Sequence, residues 1–359
     1  MRKPSLLILS FICIYLSAFF LWGGPVKIIW SFSSFGEDDY FFRPSDIEVD
    51  HQRSLIYVAD AGSHRILVFD LQGKLQSTIG NKGQGPGEFS NPTGIDILDE
   101  GGLAVADFGS NRIQIFDKSG EFIRSIKTKE VRVADIMFID ERIYAVSSFG
   151  ASGYGGLNIH SNEKSQPLVI VLDGEGNVVS DISIEDFPET HPFIRAIKHR
   201  VCLTFSNDQK FFLPFFAMNL IHVFDLEGNK VAEFNRPLPF KPIVPKLLQQ
   251  RESKEGVISM AATMDLITRD EEIGPDGHLY LLTHKDSFSE RIKGKDVKDL
   301  GRLLPPPMRI DVIDTDTHEV IRHVECDPGA KAFAVIDKDR LVYIYEDSEG
   351  ELIFKCIQY

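Results

Sequence analysis

The sequence predicts an all-β fold: a six-bladed β-propeller of four-stranded antiparallel blades, closed by the N-terminal strand completing the C-terminal blade. Three observations carry this. Short apolar segments alternate with polar residues at period two, which is strand periodicity. The two clearest units repeat with a spacing of 47 residues, from Asp60 to Asp107. Each unit holds four such segments, and four strands in a period of this size make one propeller blade.

From the N-terminus, Arg2 and Lys3 precede an apolar run from Leu6 to Trp22, interrupted only by Ser10 and Ser17. Positive charges ahead of such a run read as a signal peptide or N-terminal membrane anchor, assigned to residues 1–24. The run is at the short end of what spans a bilayer. Leu16-Ser17-Ala18 and Trp22-Gly23-Gly24 are both poor cleavage contexts, so cleavage and retention stay open. In either case the positive charges stay inside and the rest of the chain is delivered outside. Residues 25–359 are therefore expected as an exported propeller, periplasmic or extracellular.

The first blade occupies 44–80. It contains Ile47-Glu48-Val49, Leu55 to Asp60, Arg65 to Asp70, and Leu75 to Ile79. The second occupies 92–127, with Ile95-Asp96-Ile97, Leu103 to Asp107, Arg112 to Asp117, and Phe122 to Ile126. Later units are degenerate and keep mainly the ending of the third strand: Val171-Leu172-Asp173, Val223-Phe224-Asp225 and Val312-Ile313-Asp314. The sixth, from Ala332 to Cys356, offers only three strands. The fourth is expected from Val26 to Phe32, which parallels Leu75 to Gly80 and removes an open sheet edge.

The core Val-Ala-Asp-x-Gly-Ser-x-Arg-Ile-x-(Val/Ile)-Phe-Asp at 58–70 and 105–117, with the inter-blade segment Gly80 to Phe89, resembles the NHL-repeat family of β-propellers. The resemblance implies a six-bladed ring. Some relatives are amidating lyases with a histidine-bound zinc on the channel, and some bind RNA. The zinc motif cannot be matched here residue by residue, so no metal ligands are assigned.

Asp60, Arg65, Asp107 and Arg112 are read as blade-structural. A carboxylate in such a turn accepts backbone N–H groups, the following glycine supplies positive φ, and the arginine pairs with a carboxylate. Phe69 and Phe116 are read as core between sheets. Asp46, Glu48 and Asp96 alternate with apolar residues on innermost strands, where they line the central channel as solvated carboxylates. A divalent cation there is the one cofactor the residues admit; otherwise no cofactor is expected. Cys202 is read as a buried small hydrophobe.

Every long insertion is expected at one end of the ring, the end holding the b–c and d–a connections when strands a to d run outward from the channel. These loops hold the ligand-face candidates Tyr154, His160, His191, Phe193, Arg195, Lys198, Arg200 and His284. The net charge is −14, yet segments 191–200, 236–254 and 285–302 together carry +9. That balance opposes nucleic acid, leaves the membrane to the N-terminal segment, and favours an anionic or mixed protein, peptide or glycan partner. No nucleophile elbow, metal-ligand spacing or phosphate loop occurs. A non-enzymatic binding or sensory module is the leading expectation. The alternative is a channel-centred metal-dependent hydrolase, lactonase or lyase.

Overall fold

The computed structural model describes residues 26–37, 39–128, 131–146, 167–183, 201–243, 245–252, 258–293 and 304–359. Six four-stranded antiparallel sheets follow one another along the chain. Blade one is Pro44–Asp50, Leu55–Asp60, Arg65–Asp70 and Leu75–Ile79, and blade two is Pro92–Ile97, Leu103–Asp107, Arg112–Phe116 and Phe122–Lys127. Blade three is Asp135–Ile139, Arg142–Val146, Val169–Leu172 and Val178–Ile182. Blade four is Thr204–Phe205, Lys210–Pro214, Ile221–Asp225 and Lys230–Phe234. Blade five is Thr268–Ile273, Leu279–His284, Met308–Ile313 and Val320–Cys326. In blade six, Ala330–Asp337, Arg340–Glu346 and Leu352–Gln358 are joined by the N-terminal Lys27–Phe32.

Burial follows the radius of the ring. Strand b of blade two is buried at every residue, because neighbouring blades cover both its faces. The outermost strand of blade three is exposed at four of its five positions, so polar side chains alternate freely there. Along one strand, successive side chains serve opposite junctions. Ile66 and Val68 pack toward blade two, while Leu67 and Phe69 pack toward blade six.

Each of the six junctions has its own apolar core. Phe69 meets Phe354 between blades one and six, and Val68 meets Ile95 between one and two. Ile113 meets Ile143 between two and three, and Tyr144 meets Phe211 between three and four. Val223 meets Leu281 between four and five, and Tyr280 meets Phe333 between five and six. Six cores for six blades close the ring without a gap. Closure within blade six runs through the pairs Lys27↔Gln358, Trp30↔Cys356 and Phe32↔Phe354.

The c–d turns repeat one device. Asp70, Asp117, Asp173, Asp225 and Asp314 end strand c in blades one to five, and each accepts N–H groups from its own turn. In four of them the residue three positions on is a glycine at φ 78–86°, and in blade five His318 takes a left-handed conformation. Elsewhere, Lys246–Glu252 and Ile258–Thr263 pair as a hairpin between blades four and five, and a single helical turn, Phe288–Ile292, starts at the cap Ser287.

Candidate functional site

The inner strands define the channel. Adjacent inner strands belong to different sheets, so their backbones cannot pair as a ladder. Side chains make the bridges instead. A bulge near the start of strand a, at Ser45, Thr93 and Arg269, turns each of these side chains onto a carbonyl of the next blade. Ser45 Oγ donates to Pro92 O at 3.2 Å, Thr93 Oγ1 to Ala134 O at 2.7 Å, and Arg269 Nε to Lys331 O at 3.1 Å.

Carboxylates make the reciprocal bonds. Asp46 accepts from Ile95 N at 2.7 Å, Asp96 from Phe138 N at 2.6 Å, Asp270 from Phe333 N at 2.8 Å and Glu272 from Val335 N at 2.7 Å. Gly94 lets the inner strands of blades two and three approach, since a Cβ there would lie 2.8 Å from Ala134 O. Asp46 and Asp96, expected as solvated lining, are thus clasps between blades, because each accepts an inner-strand N–H group of the next blade.

With Glu48, Asp135 and Glu271, seven carboxylates from four blades gather around the axis. Burial is the largest influence on all of them and raises their pKa. Asp46 is pushed up to about 6, and Asp96 and Asp270 to about 7. Glu48 is raised further by the charge of Asp46, and Glu271 by that of Asp270. Backbone donors oppose the shift at Asp46, Asp96, Asp270 and Glu272 without cancelling it. Cys202, placed near Glu271, has its thiol pKa raised by burial. Chemically the channel is lined by carboxyls that hold their protons more tightly than free carboxyls do. Among the described residues, no three His, Cys, Asp or Glu side chains are arranged to hold a metal ion.

These shifts fix a pH dependence. Carboxyls whose folded pKa lies above the unfolded value keep protons that the unfolded chain releases. Their contribution to stability is present below about pH 4 and lost as pH rises through 6–7. Asp96→Asn keeps an acceptor for Phe138 N and removes the charge. It is expected to raise Tm at pH 8 by about 2 °C or more, since one pKa unit is worth about 1.4 kcal/mol. The gain should fall by more than half at pH 5 in thermal melts and disappear only below the unfolded value near pH 4, and an equal gain at pH 8 and pH 5 would contradict the assignment.

At the end of the ring that holds the b–c and d–a connections, blades one and two carry the same brace. Asp60 Oδ1 accepts from Phe42 N and Arg43 N, and Asp107 Oδ1 from Ser90 N and Asn91 N. Arg112 lies 3.1 Å from Asp107 and donates to the carbonyls of Gln84 and Glu88. Arg65 lies 3.4 Å from Asp60 and 2.7 Å from Asp39. Phe69 and Phe116 sit in the junction cores.

A family model described as a six-bladed β-propeller, DUF5128, matches residues 37–247, more than half of the chain. The chain belongs to the DUF5128 family. This DUF5128 propeller is also similar to solved structures across most of its length. One is a DUF4221-family protein from Bacteroides vulgatus, 13% identical, with TM-score 0.59 and coverage of 93% of this chain and 98% of that one. Another is a catalytically inactive virginiamycin B lyase from Staphylococcus aureus with quinupristin, 12% identical, with TM-score 0.50 and coverage of 93% and 100%. At these identities the likeness is one of fold. No curated protein matches the chain.

In this DUF5128 propeller, Tyr154, His160, His191, Phe193, Arg195, Lys198 and Arg200 lie outside the described residues, as does the N-terminal segment 1–24. His284, expected on the ligand face, is instead buried at the end of strand b of blade five, 4% exposed, and burial lowers its pKa to about 3. Arg236, counted among the basic loop residues, is also buried: it pairs with Asp311 at 3.1 Å and donates to Thr268 and Thr283. Its charge is cancelled inside blade five and is not offered to a partner. Cys202, Cys326 and Cys356 are free thiols. Sequence reasoning missed Asp135, Asp270, Glu271 and Glu272 in the channel. Their signal was positional: Asp270 stands two places after the start of strand a, as Asp46 does, and Glu272 four places after it, as Glu48 and Asp96 do, while Asp135 opens its strand; reading it needed blades three and five to be in register with blade one.

Proposed function

We propose that this DUF5128 propeller is an exported, non-enzymatic binding or sensory module that holds a protein, peptide or glycan partner against its loop-bearing end. The supporting observation is the inequality of the two ends. Alternating strand direction gathers the connections between Val146 and Val169, Ile182 and Thr204, Phe234 and Thr268, and His284 and Met308 at one end. At the other end, each connection within a blade is a tight turn. Long connections on a rigid scaffold are where binding residues concentrate. Strand Lys27–Phe32 begins at the turn end, so a tether formed by residues 6–22 would leave the loop-bearing end facing outward. On this reading blades one and two are NHL-type repeats whose Asp–Arg braces hold the ring, and the basic loops recognise an anionic partner.

The test uses heparin and polyglutamate as probes. Replacing Arg195, Lys198 and Arg200 together by serine is expected to weaken binding about 3- to 150-fold, since surface charge pairs contribute about 0.2–1 kcal/mol each. It should also flatten the salt dependence. Equal affinity and equal salt dependence in both proteins would reject this reading. The second reading is a channel-centred metal-dependent hydrolase, lactonase or lyase, which requires the channel carboxylates to draw together around an ion, since among the described residues no three are arranged to hold one. Stoichiometric zinc or calcium in protein purified without added metal would turn the assignment toward it.

A further inference from the structure

The junctions at the turn end of the ring are not equivalent. Between blades one and two the slot is plugged by the chain itself. Arg53, in the turn after strand a, donates from its backbone N–H and from Nε to buried Asp50 at 2.8 and 2.6 Å. Its Nη1 crosses to the carbonyl of Lys118 in blade two at 2.7 Å, and its guanidinium lies 5.7 Å from the Tyr57 ring. An amphipathic cation therefore fills that slot, with its guanidinium over an aromatic ring and between a carboxylate and a carbonyl.

The next junction lacks the plug. Leu98 faces Gly102 at the level where Asp50 faces Leu55. The intervening turn is one residue shorter, and Glu100 precedes its positive-φ residue, Gly101, as Arg53 precedes Ser54. Both halves of the Asp50–Arg53 pair are thus replaced, one by an apolar group and one by an acid. What remains is a groove of about 580 Å³ between blades two and three. Leu98, Phe138, Ile139 and Ile123, the last 57% exposed, give it an apolar surface. Asp99, Glu100, Asp140 and Glu141 stand exposed around it, and their side chains have no partner among the described residues. Of its two cations, Arg124 is committed to the carbonyl of Gly174 at 2.8 Å.

We infer that this groove docks a cationic, part-apolar peptide segment of a partner protein: an arginine or lysine flanked by apolar residues. Such a segment supplies from outside what Arg53 supplies from within at the preceding junction. The unpaired acids select the positive charge, and the apolar surface selects a peptide over a bare polycation. The groove lies at the opposite end from the loops and is independent of the loop-end reading.

The experiment is calorimetric titration of the full chain with a hexapeptide of alternating leucine and arginine. Saturable 1:1 binding is expected, weakened at least tenfold by the combined exposed-site variant Glu100→Gln, Asp140→Asn, Glu141→Gln. Building the plug into blade two, with Leu98→Asp and Glu100→Arg, is expected to abolish binding while the melting temperature shows that the ring is intact. The serine variant of the three loop cations should bind the hexapeptide as the parent does, so failure of the loop reading and failure of this one are separable. Absence of saturable binding, or affinity unchanged in both groove variants, overturns the inference. Spermidine binding as tightly as the hexapeptide would overturn the peptide assignment.

Discussion

Asp311→Ala is expected to destabilise the protein by about 3–5 kcal/mol, the range for leaving a buried charge without its partner. Asp311 is fully buried in strand c of blade five, 3.1 Å from Arg236 Nε, 2.6 Å from Arg309 Nε and 2.8 Å from His323 Nδ1. Burial on its own raises the carboxyl pKa. The hydrogen bond from His323 and the charges of Arg236 and Arg309 outweigh it, so the group sits below the ordinary carboxylate range. Removing the carboxylate strands the Arg236 guanidinium between Thr268 and Thr283 in a fully buried site. Urea denaturation of the single variant measures the loss, and a change under 1 kcal/mol would contradict this account. Because the native pKa is depressed, this contribution is present above about pH 4 and disappears as pH falls through the native value. The channel carboxylates act with the opposite sign, so the two groups together favour a stability maximum on the mildly acidic side of neutrality.

Phe354→Ala should cost about 3–5 kcal/mol as well, by opening a cavity where two ends of the chain meet. Phe354 is fully buried, and its ring lies 5.0 Å from Trp30, 5.7 Å from Phe32, 5.7 Å from Phe41 and 5.4 Å from Phe69. Those four rings come from the N-terminal strand, the segment entering blade one, and strand c of blade one. The loss therefore falls on the closure of the ring as well as on one blade. Trp30 also donates to the carbonyl of Leu71 at 3.0 Å, which fixes the N-terminal strand against blade one. Phe354→Leu, which keeps most of the volume, should recover at least half of the loss in the same denaturation series; recovery of none would contradict a packing origin.

Much of the ring was legible because each blade repeats its punctuation. The aspartate at the end of strand c marks five blades, and the parallel between Val26–Phe32 and Leu75–Gly80 identifies the strand that completes the sixth. Period-two alternation likewise put Asp46, Glu48 and Asp96 on inner strands. It did not reveal that Asp46 and Asp96 would be consumed as acceptors, because the N–H groups they bind come from blades 42 to 49 residues away. The inner strands of blades three and five escaped notice because those blades lack the Val-Ala-Asp core that sets the register. Arg236 was misjudged for a related reason: it stands among prolines and cations, and its carboxylate lies 75 residues downstream. The groove between blades two and three was written in the turns, where Leu98 and Glu100 replace Asp50 and Arg53. That substitution acquires meaning only once Arg53 is seen to reach Lys118.

The closed ring is tested most directly by comparing thermal melts of the chain beginning at residue 25 with one beginning at residue 33. Loss of Lys27–Phe32 exposes the strand at Leu352–Gln358 and uncovers Phe354, so the shorter protein should melt at least 10 °C lower or fail to fold cooperatively. Coincident melting curves would mean that the N-terminal strand does not close the sixth blade.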